Sequence, residues 1–231
     1  MTPPVLSIIV PVYNEAETIS QVLTLLSQLP LSTQIIVVDD ASTDATPQRI
    51  AAHPTAAQCT VLRHPRNRGK GAAIRSALPV VRGSVLVIQD ADLEYNPEEL
   101  VGMYAAIEAG ADIVYGTRFG RYRPQGMLLT HYCANRLLTW WFNRLYGTAL
   151  TDLETCYKMC RVSTLTAVTL DHDRFDIDPE LTAKWVAQGY TIAEVPVHYL
   201  GRPYRAGKKI RPIDAWSALA TMWRYRAAGR P

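Results

Sequence analysis

The sequence predicts an α/β protein in which helices flank a mostly parallel central sheet. In the first half, short β-branched runs alternate with segments of helical periodicity, which is typical of parallel strands joined by crossover helices. The 231 residues are 48% apolar and 19% charged, enough for one well-filled core and unlike disordered, collagen-like or coiled-coil chains. Without an internal repeat or a long linker, we expect a single domain over 1–231.

Five strands and four helices are expected before residue 118. The apolar, β-branched runs are 6–12, 34–39, 60–63, 84–89 and 112–116. The segments with helical spacing are 16–28, 44–52, 71–81 and 97–109. The last helix has the clearest start, because Asn96 can cap it, Pro97 suits the first helical position, and Glu98 and Glu99 suit the positive end of the helix dipole.

The pattern changes after Phe119. A basic loop over 120–126 precedes an aromatic-rich helix over 127–146, and 152–161 is expected to be a loop that enters a strand. A helix over 179–188, a strand over 190–199 and an amphipathic helix over 213–226 complete the expected elements. We therefore divide the domain into a half over 6–118 that holds the strand-end sites, a second half over 119–210, and a basic C-terminal helix over 211–231.

The charge is unevenly distributed along the chain. The net charge is +3, but residues 201–231 carry +7 and residues 1–200 carry −4. A basic terminal segment is compatible with a solvated face, a nucleic-acid arm, or a surface for phosphate or anionic lipid.

The sequence shows neither a membrane-spanning or signal segment nor a cysteine pattern typical of disulfides or zinc. No apolar stretch approaches the roughly 18 residues of a membrane span, and residues 1–6 lack the pattern of a signal peptide, so we expect a cytoplasmic chain, on or off a membrane surface. Four scattered cysteines predict reduced thiols rather than a disulfide framework, and the spacing of His131, Cys156 and Cys160 fits no zinc pattern.

Acidic residues follow three of the predicted strands. Ligands of open parallel sheets bind beyond the carboxyl ends of the strands, where this chain places Glu15, the pair Asp39-Asp40, and the run Asp90-Ala91-Asp92-Leu93-Glu94. Asp90, Asp92 and Glu94 share one side of an extended segment, and such carboxylates suit Mg²⁺ or Mn²⁺ bound with diphosphate oxygens. A solvated acidic loop is the alternative.

Two common nucleotide motifs are absent from the sequence. There is no G-x-G-x-x-G after the first strand, and Arg68-Gly69-Lys70-Gly71 lacks the remaining residues of a P-loop. Lys70 at a helix start suits a phosphate, and a plain turn suits the same residues equally. Positive charge for a departing diphosphate is available from Arg118, Arg202, Lys208 and Lys209.

Several ordered blocks carry a family resemblance. The runs LSIIVPVYNEAETI, IIVVDDASTDAT, NRGKGAAIRSAL, VLVIQDADLEYNPEEL and VYGTRF resemble the GT-A-fold family 2 glycosyltransferases, specifically polyprenyl-phosphate (dolichol-phosphate) hexosyltransferases of the mannosyltransferase type. TDLETCYKM, RFDIDPELTAK and VPVHYLGRPYRAGKKI resemble a bacterial branch of that group, and the resemblance covers about 6–210. It implies a Rossmann-like GT-A sheet. Some members append transmembrane helices, and we expect none here.

The resemblance implies roles for individual residues. The nucleotide-sugar pocket takes Pro11, Tyr13, Glu15, Val38, Asp39 and Asp40, to which we add Lys70. Metal and diphosphate are held by Asp90, Ala91, Asp92 and Glu94. The catalytic group is Asp92, Arg118, Arg202 and Lys208, with Arg118 on the sugar or acceptor phosphate and the last two closing over the diphosphate. The acceptor side takes Asp152, Glu154 and Glu180.

Two departures from the mannosyltransferase pattern leave the donor open between GDP-mannose and UDP-glucose. Thr155-Cys156-Tyr157-Lys158 replaces a Ser-Gly-Phe-Arg-like segment, and Tyr132 stands near the position of an Arg.

The implied acceptor determines the expected mechanism. A polyprenyl phosphate is largely dianionic at pH 7, with a second pKa of about 6, so its oxygen can attack the anomeric carbon in line without a general base. A soluble or glycan hydroxyl acceptor would instead need Asp152, Glu154, Asp178 or Glu180 as base.

Other readings of the chain stay open. A non-catalytic nucleotide-sugar module is one, whereas nucleic-acid binding is disfavoured by the acidic strand ends. The aromatic and basic helices over 127–146 and 213–226 suit either a membrane surface or the core, and the oligomeric state is open.

Overall fold

The computed structural model describes residues 5–120, 124–174, 176–202 and 219–226. Seven strands form one sheet in the order β3-β2-β1-β4-β6-β5-β7. The strands are β1 (Leu6–Val12), β2 (Thr33–Asp39), β3 (Thr60–Arg63), β4 (Val85–Ile88), β5 (Ile113–Thr117), β6 (Lys158–Arg161) and β7 (Ile192–Pro196). All neighbouring pairs are parallel except those of β6, which is antiparallel to both β4 and β5.

Seven α-helices connect or flank these strands. They are α1 (Ile19–Ser27), α2 (Thr46–Ala51), α3 (Lys70–Ala77), α4 (Glu99–Glu108), α5 (Leu129–Tyr146), α6 (Val162–Thr166) and α7 (Ile177–Ala187). Residues 219–226 are also helical. No helix in the described ranges is long and apolar enough to cross a membrane.

Alternating side chains of the strands build a core on each face of the sheet. Ile8 and Val10 of β1 pack with the apolar residues of α1 and α4, whereas Ile9 packs with those of α3 and α7. A third cluster joins α5 to α7 and to the helical segment 219–226 through Phe142 and Met222. The result is a three-layer α/β protein, which confirms the expected fold class.

The sequence located the strands and long helices to within a few residues. It missed α6 and could not indicate that β6 lies between β4 and β5. Helix α4 begins at Glu99 rather than Pro97, because residues 96–98 form a turn in which the side chain of Asn96 accepts a hydrogen bond from the backbone of Glu98 (3.1 Å). Residues 213–218 of the expected last helix lie outside the described ranges.

Candidate active site

The carboxyl ends of β1, β2 and β4 lie at one edge of the sheet because these strands run parallel. Arg202, which follows β7, reaches the same edge. Its guanidinium contacts Glu15 (Nη1 to Oε2 2.9 Å, Nη2 to Oε1 3.0 Å), and Nη2 lies 3.3 Å from Oδ2 of Asp92. The structure thus brings together Glu15, Asp92 and Arg202, three of the expected site residues.

Asp92 lies close to two other carboxylates, those of Asp90 and Glu94. Burial, with Asp90 and Glu94 nearby, raises the pKa of Asp92 to about 7, and Arg202 offsets this only in part. Glu94 uses both carboxylate oxygens elsewhere: Oε2 accepts from the Tyr199 hydroxyl (2.6 Å) and Oε1 from the Arg202 backbone (2.8 Å). Glu94 therefore holds the segment that carries Arg202.

The metal site expected from Asp90, Asp92 and Glu94 is not assembled. Within the described ranges, no three His, Cys, Asp or Glu side chains are grouped so that they could hold a metal ion. The role of Glu94 as third ligand stays a prediction; both of its carboxylate oxygens accept hydrogen bonds, from Tyr199 and from Arg202. The partly buried carboxylate of Asp92 still matches the chemistry of a hard divalent cation.

Lys70, at the start of α3, pairs with Asp90. Its Nζ lies 3.0 Å from Oδ1 of Asp90 and also contacts the thiol of Cys156, which in turn contacts Asp90. Burial alone would lower the pKa of Lys70, but the neighbouring Asp90, Cys156 and Asp178 raise it well above its ordinary value. Lys70 is therefore a fixed positive charge beside Asp90.

Arg118, just after β5, is bound to Asp152 by both its Nε and Nη2 (2.7 Å each), and the backbone nitrogen of Arg118 also donates to Asp152 (3.0 Å). Asp152 is fully buried. The guanidinium also packs against the rings of Phe119 and Tyr199. A bidentate pair of this kind holds the arginine in one orientation.

Glu154 lies beside two buried ion pairs, Arg118–Asp152 and Lys158–Asp178 (3.0 Å). Burial and the charge of Asp178 raise the pKa of Glu154 to about 7, although Lys158 and Arg118 lower it. Its Oε1 is buried without a hydrogen-bond partner among the described residues. A carboxyl in this environment titrates near neutral pH.

Comparison with known proteins shows the family of this chain. The family model "Glycosyl transferase family 2" matches residues 7–169, which is more than half of the chain. The chain belongs to glycosyl transferase family 2. It is a glycosyltransferase, and the resemblance noted in its sequence is confirmed.

Two relatives of this family 2 enzyme align with it over almost their whole length. An undecaprenyl-phosphate mannosyltransferase from Micrococcus luteus is 31% identical, over 96% of this chain and 94% of the relative. A polyprenol monophosphomannose synthase from Mycolicibacterium smegmatis is 30% identical, over 96% and 91%. Both are named for sugar transfer to a polyprenyl lipid.

Among solved structures, glucosyl-3-phosphoglycerate synthase from Mycobacterium tuberculosis, in complex with Mn²⁺, UDP-glucose and glycerol 3-phosphate, superimposes with a TM-score of 0.76. It is 20% identical, over 97% of this chain and 80% of that chain. This likeness shows a shared GT-A fold.

Some expected site residues of this family 2 enzyme have internal partners. Asp40 accepts from the backbone nitrogens of Arg68 (2.8 Å) and Gly69 (2.7 Å) and lies 2.7 Å from His64 Nδ1, so it fixes the loop before α3. Asp39 accepts from the backbone of Ser42 (2.8 Å).

Glu180, expected on the acceptor side, is fully buried. It accepts from the backbones of Asp171 (2.7 Å) and His172 (3.0 Å) and from Lys184 (2.6 Å) and Tyr225. These contacts tie α7 to the preceding loop and to the segment 219–226, so the structure assigns Glu180 a structural position.

The remaining expected pocket residues differ in exposure. Pro11 and Tyr13 are partly exposed at the end of β1, whereas Ala91 is almost completely buried. Val38 has no exposed surface and packs in the core, and its place in the pocket stays a prediction. Lys208 and Lys209 lie outside the described ranges.

The sequence did not indicate the contacts of four residues around the candidate site: Cys156, Lys158, Asp178 and Tyr199. Cys156 was treated as a structural thiol, and Asp178 only as one of several alternative bases. The four come from segments far apart in the chain, and a single residue such as Tyr199 has no local pattern that indicates its partner. Only the break in the Ser-Gly-Phe-Arg-like segment at Thr155–Lys158 was a usable signal.

Proposed function

We propose that this family 2 glycosyltransferase moves a hexose from a nucleoside diphosphate sugar to a polyprenyl phosphate at the cytoplasmic face of the membrane, inverting the anomeric carbon and using Mg²⁺ or Mn²⁺. The observation that carries the proposal is Arg202 held between Glu15 and Asp92 at the sheet edge. This arrangement places carboxylates that can bind a cation next to a guanidinium that can stabilise a leaving diphosphate. The polyprenyl-linked names of the two relatives support the acceptor class.

Asp92 is the main candidate to hold the metal. Burial and the nearby charges of Asp90 and Glu94 raise the pKa of Asp92, and Arg202 offsets this only in part. A divalent cation would balance the remaining carboxylate charge. Asp90 contributes beside it, with part of its charge already offset by Lys70. When bound, the cation neutralises the diphosphate of the donor. The solved neighbour's complex with Mn²⁺ supports this cofactor class.

The chain's own residues position the reactants. The acceptor phosphate is already dianionic, so its oxygen forms the new bond to the anomeric carbon while the bond to the diphosphate breaks. Arg202 is placed to stabilise the departing diphosphate, and Lys208 is proposed from the sequence for the same role. Arg118, held by Asp152, is proposed to orient the acceptor phosphate or the sugar.

A second candidate function is transfer to a hydroxyl acceptor. The supporting observation is Glu154, a buried carboxyl with a pKa of about 7, which suits a general base near neutral pH. In that reaction Glu154 would take the proton of the hydroxyl as its oxygen attacks. The donor is GDP-mannose or UDP-glucose in either case.

The test is a donor panel with GDP-mannose, UDP-glucose or UDP-N-acetylglucosamine, a short-chain polyprenyl phosphate, and Mg²⁺, Mn²⁺ or EDTA. We expect metal-dependent formation of a sugar-phospholipid with one donor. Nucleotide release coupled only to a hydroxyl acceptor would favour the second candidate. No turnover with any donor would contradict both.

The variant Asp92→Asn tests the site itself. We expect kcat/KM to fall by about 10²- to 10³-fold, because the carboxylate that would hold the cation beside the leaving diphosphate is lost, with an unchanged circular dichroism spectrum and melting temperature. The matched control is Asp112→Asn, an exposed carboxylate before β5 at the opposite edge of the sheet, which should leave kcat/KM unchanged. Full activity of Asp92→Asn would overturn the assignment.

A further inference from the structure

The solvent side of α5 is unusually apolar. Leu129 and Leu137 are 61% and 63% exposed, and Trp140 is 56% exposed. Their spacing puts them on one face of the helix, together with the exposed Arg136 and Arg144. The opposite face holds the buried residues Leu138, Thr139 and Phe142.

This face continues toward the active site. Leu128, which precedes α5, and Leu200, which follows β7, are more than half exposed. They are brought near each other because Gln125 pairs with Leu200 and the backbone of Gly201 donates to Gln125 (3.0 Å). We name Leu128, Leu129, Leu137, Trp140 and Leu200 the apolar patch. It includes five of the seven large apolar side chains that are exposed in the described ranges, and Leu200 lies two residues before Arg202.

The charge around the apolar patch is positive. Residues 113–151 contain no Asp or Glu, so the exposed Arg136 and Arg144 act without acidic neighbours in the same stretch of chain. Trp and Leu interleaved with Arg on one helix face is the composition of helices that lie in the headgroup region of a bilayer. Contiguous exposed apolar surface of this kind marks an interaction site.

We propose that the apolar patch docks the enzyme on an anionic lipid bilayer, with α5 lying in the headgroup region and the Arg202 side of the site facing the membrane. The inference deepens the proposed function and rests on it for the reason why the enzyme docks, since a polyprenyl phosphate is embedded in a bilayer. A second copy of the chain fits less well, because a symmetric contact would bring Arg136 and Arg144 against the same residues of the partner copy.

The test is flotation of the full-length protein with vesicles of phosphatidylcholine alone or mixed with phosphatidylglycerol. We expect the wild-type protein to float with the anionic vesicles. Trp140→Ser should lower the vesicle partition coefficient by about tenfold, because one large apolar side chain no longer enters the bilayer. Arg144→Gln should lower it by about fivefold on anionic vesicles only.

The matched control is Val61→Ser on β3. Val61 is also exposed, but β3 is the edge strand farthest from β7, so this variant should float like the wild type. Failure of the wild-type protein to bind, or equal binding by Trp140→Ser, would overturn the proposal. So would a wild-type dimer in light scattering that Trp140→Ser dissociates, because the patch would then be a contact between copies.

An activity comparison separates this inference from the proposed function. Trp140→Ser should retain transfer to a water-soluble geranyl phosphate and lose about tenfold with a polyprenyl phosphate embedded in anionic vesicles. If the wild type transfers sugar to neither lipid and still floats, the proposed function fails and the docking surface stands. Equal loss on both acceptors would contradict docking as the role of Trp140.

Discussion

At the scale of single residues, Glu154 shows how the fold determines protonation. The two cations beside it, Arg118 and Lys158, already pair with Asp152 and Asp178, so the carboxyl of Glu154 has no cation of its own. Burial then disfavours its charged form, and its pKa rises from 4.5 to about 7. Burial beside two ion pairs that are already formed thus favours the protonated form of Glu154.

We predict that Glu154→Gln weakens the pH dependence of stability. Because the folded-state pKa lies above the unfolded value, the native state binds this proton more tightly, and its contribution to stability is lost as the pH rises from 4.5 to 7. Relative to the wild type, the free energy of unfolding of the variant should rise by about 3 kcal/mol between pH 4.5 and pH 8. Urea unfolding at both pH values measures this.

Glu108→Gln, at the exposed end of α4, is the control for that measurement and should follow the wild-type pH profile. Parallel pH profiles for Glu154→Gln and the wild type would show that Glu154 is ionised in the native protein at neutral pH, contrary to the raised pKa.

At the scale of elements, the start of α3 is positioned by its contact with the loop before α7. The backbone of Ala72 donates to the carbonyl of Asp173 (3.1 Å), and a side chain at Gly71 would collide with the carbonyl oxygen of His172. This close approach places Lys70, the first residue of α3, beside Asp90. A glycine here is required by packing between segments a hundred residues apart.

We predict that Gly71→Ala destabilises the protein by about 1–3 kcal/mol, because the loop at His172 must move to accommodate the methyl group. Gly102→Ala is the matched control: Gly102 lies within α4 with nothing within 4 Å of the added carbon. Alanine there should stabilise by about 0.5–1 kcal/mol through helix propensity. Chemical denaturation measures both, and a neutral Gly71→Ala would contradict the close approach.

At the scale of the whole molecule, β6 joins the two halves of the chain. It pairs with β4 from the first half and with β5, and β5 otherwise pairs only with β7 among the described strands. The division at residue 118 that the sequence suggested therefore cuts through one continuous sheet. We infer that 6–118 and 119–210 are parts of one folding unit.

We predict that a fragment ending at residue 118 does not fold cooperatively. Without β6 and β7, the buried strand β5 would have no partner and one edge of β4 would be open. Circular dichroism during heating should show no sigmoidal transition for residues 1–118, whereas the full chain should show one. A cooperative transition in the fragment would mean that the first half is an independent domain.

The sequence by itself determined the element types and the edge of the sheet that carries the site. Continuous apolar, β-branched runs mark strands buried on both faces, and a period of 3.6 residues marks helices with one buried side. For this reason β1, β2, β4, α4 and α5 could be located without a structure. The acidic residues after β1, β2 and β4 were placed correctly for the same reason, since parallel strands end at one edge. The ordered motif blocks were sufficient to indicate the family.

Only the tertiary structure decided how distant segments meet. The antiparallel insertion of β6, the pairing of Lys70 with Asp90 and Cys156, and the hydrogen bond from Tyr199 to Glu94 each join residues far apart in the chain. Side-chain partners of this kind leave no periodic trace, because a carboxylate after a strand has the same local sequence whether it faces a cation, a tyrosine or an arginine. Which carboxylate faces which partner is set by packing across the whole sheet.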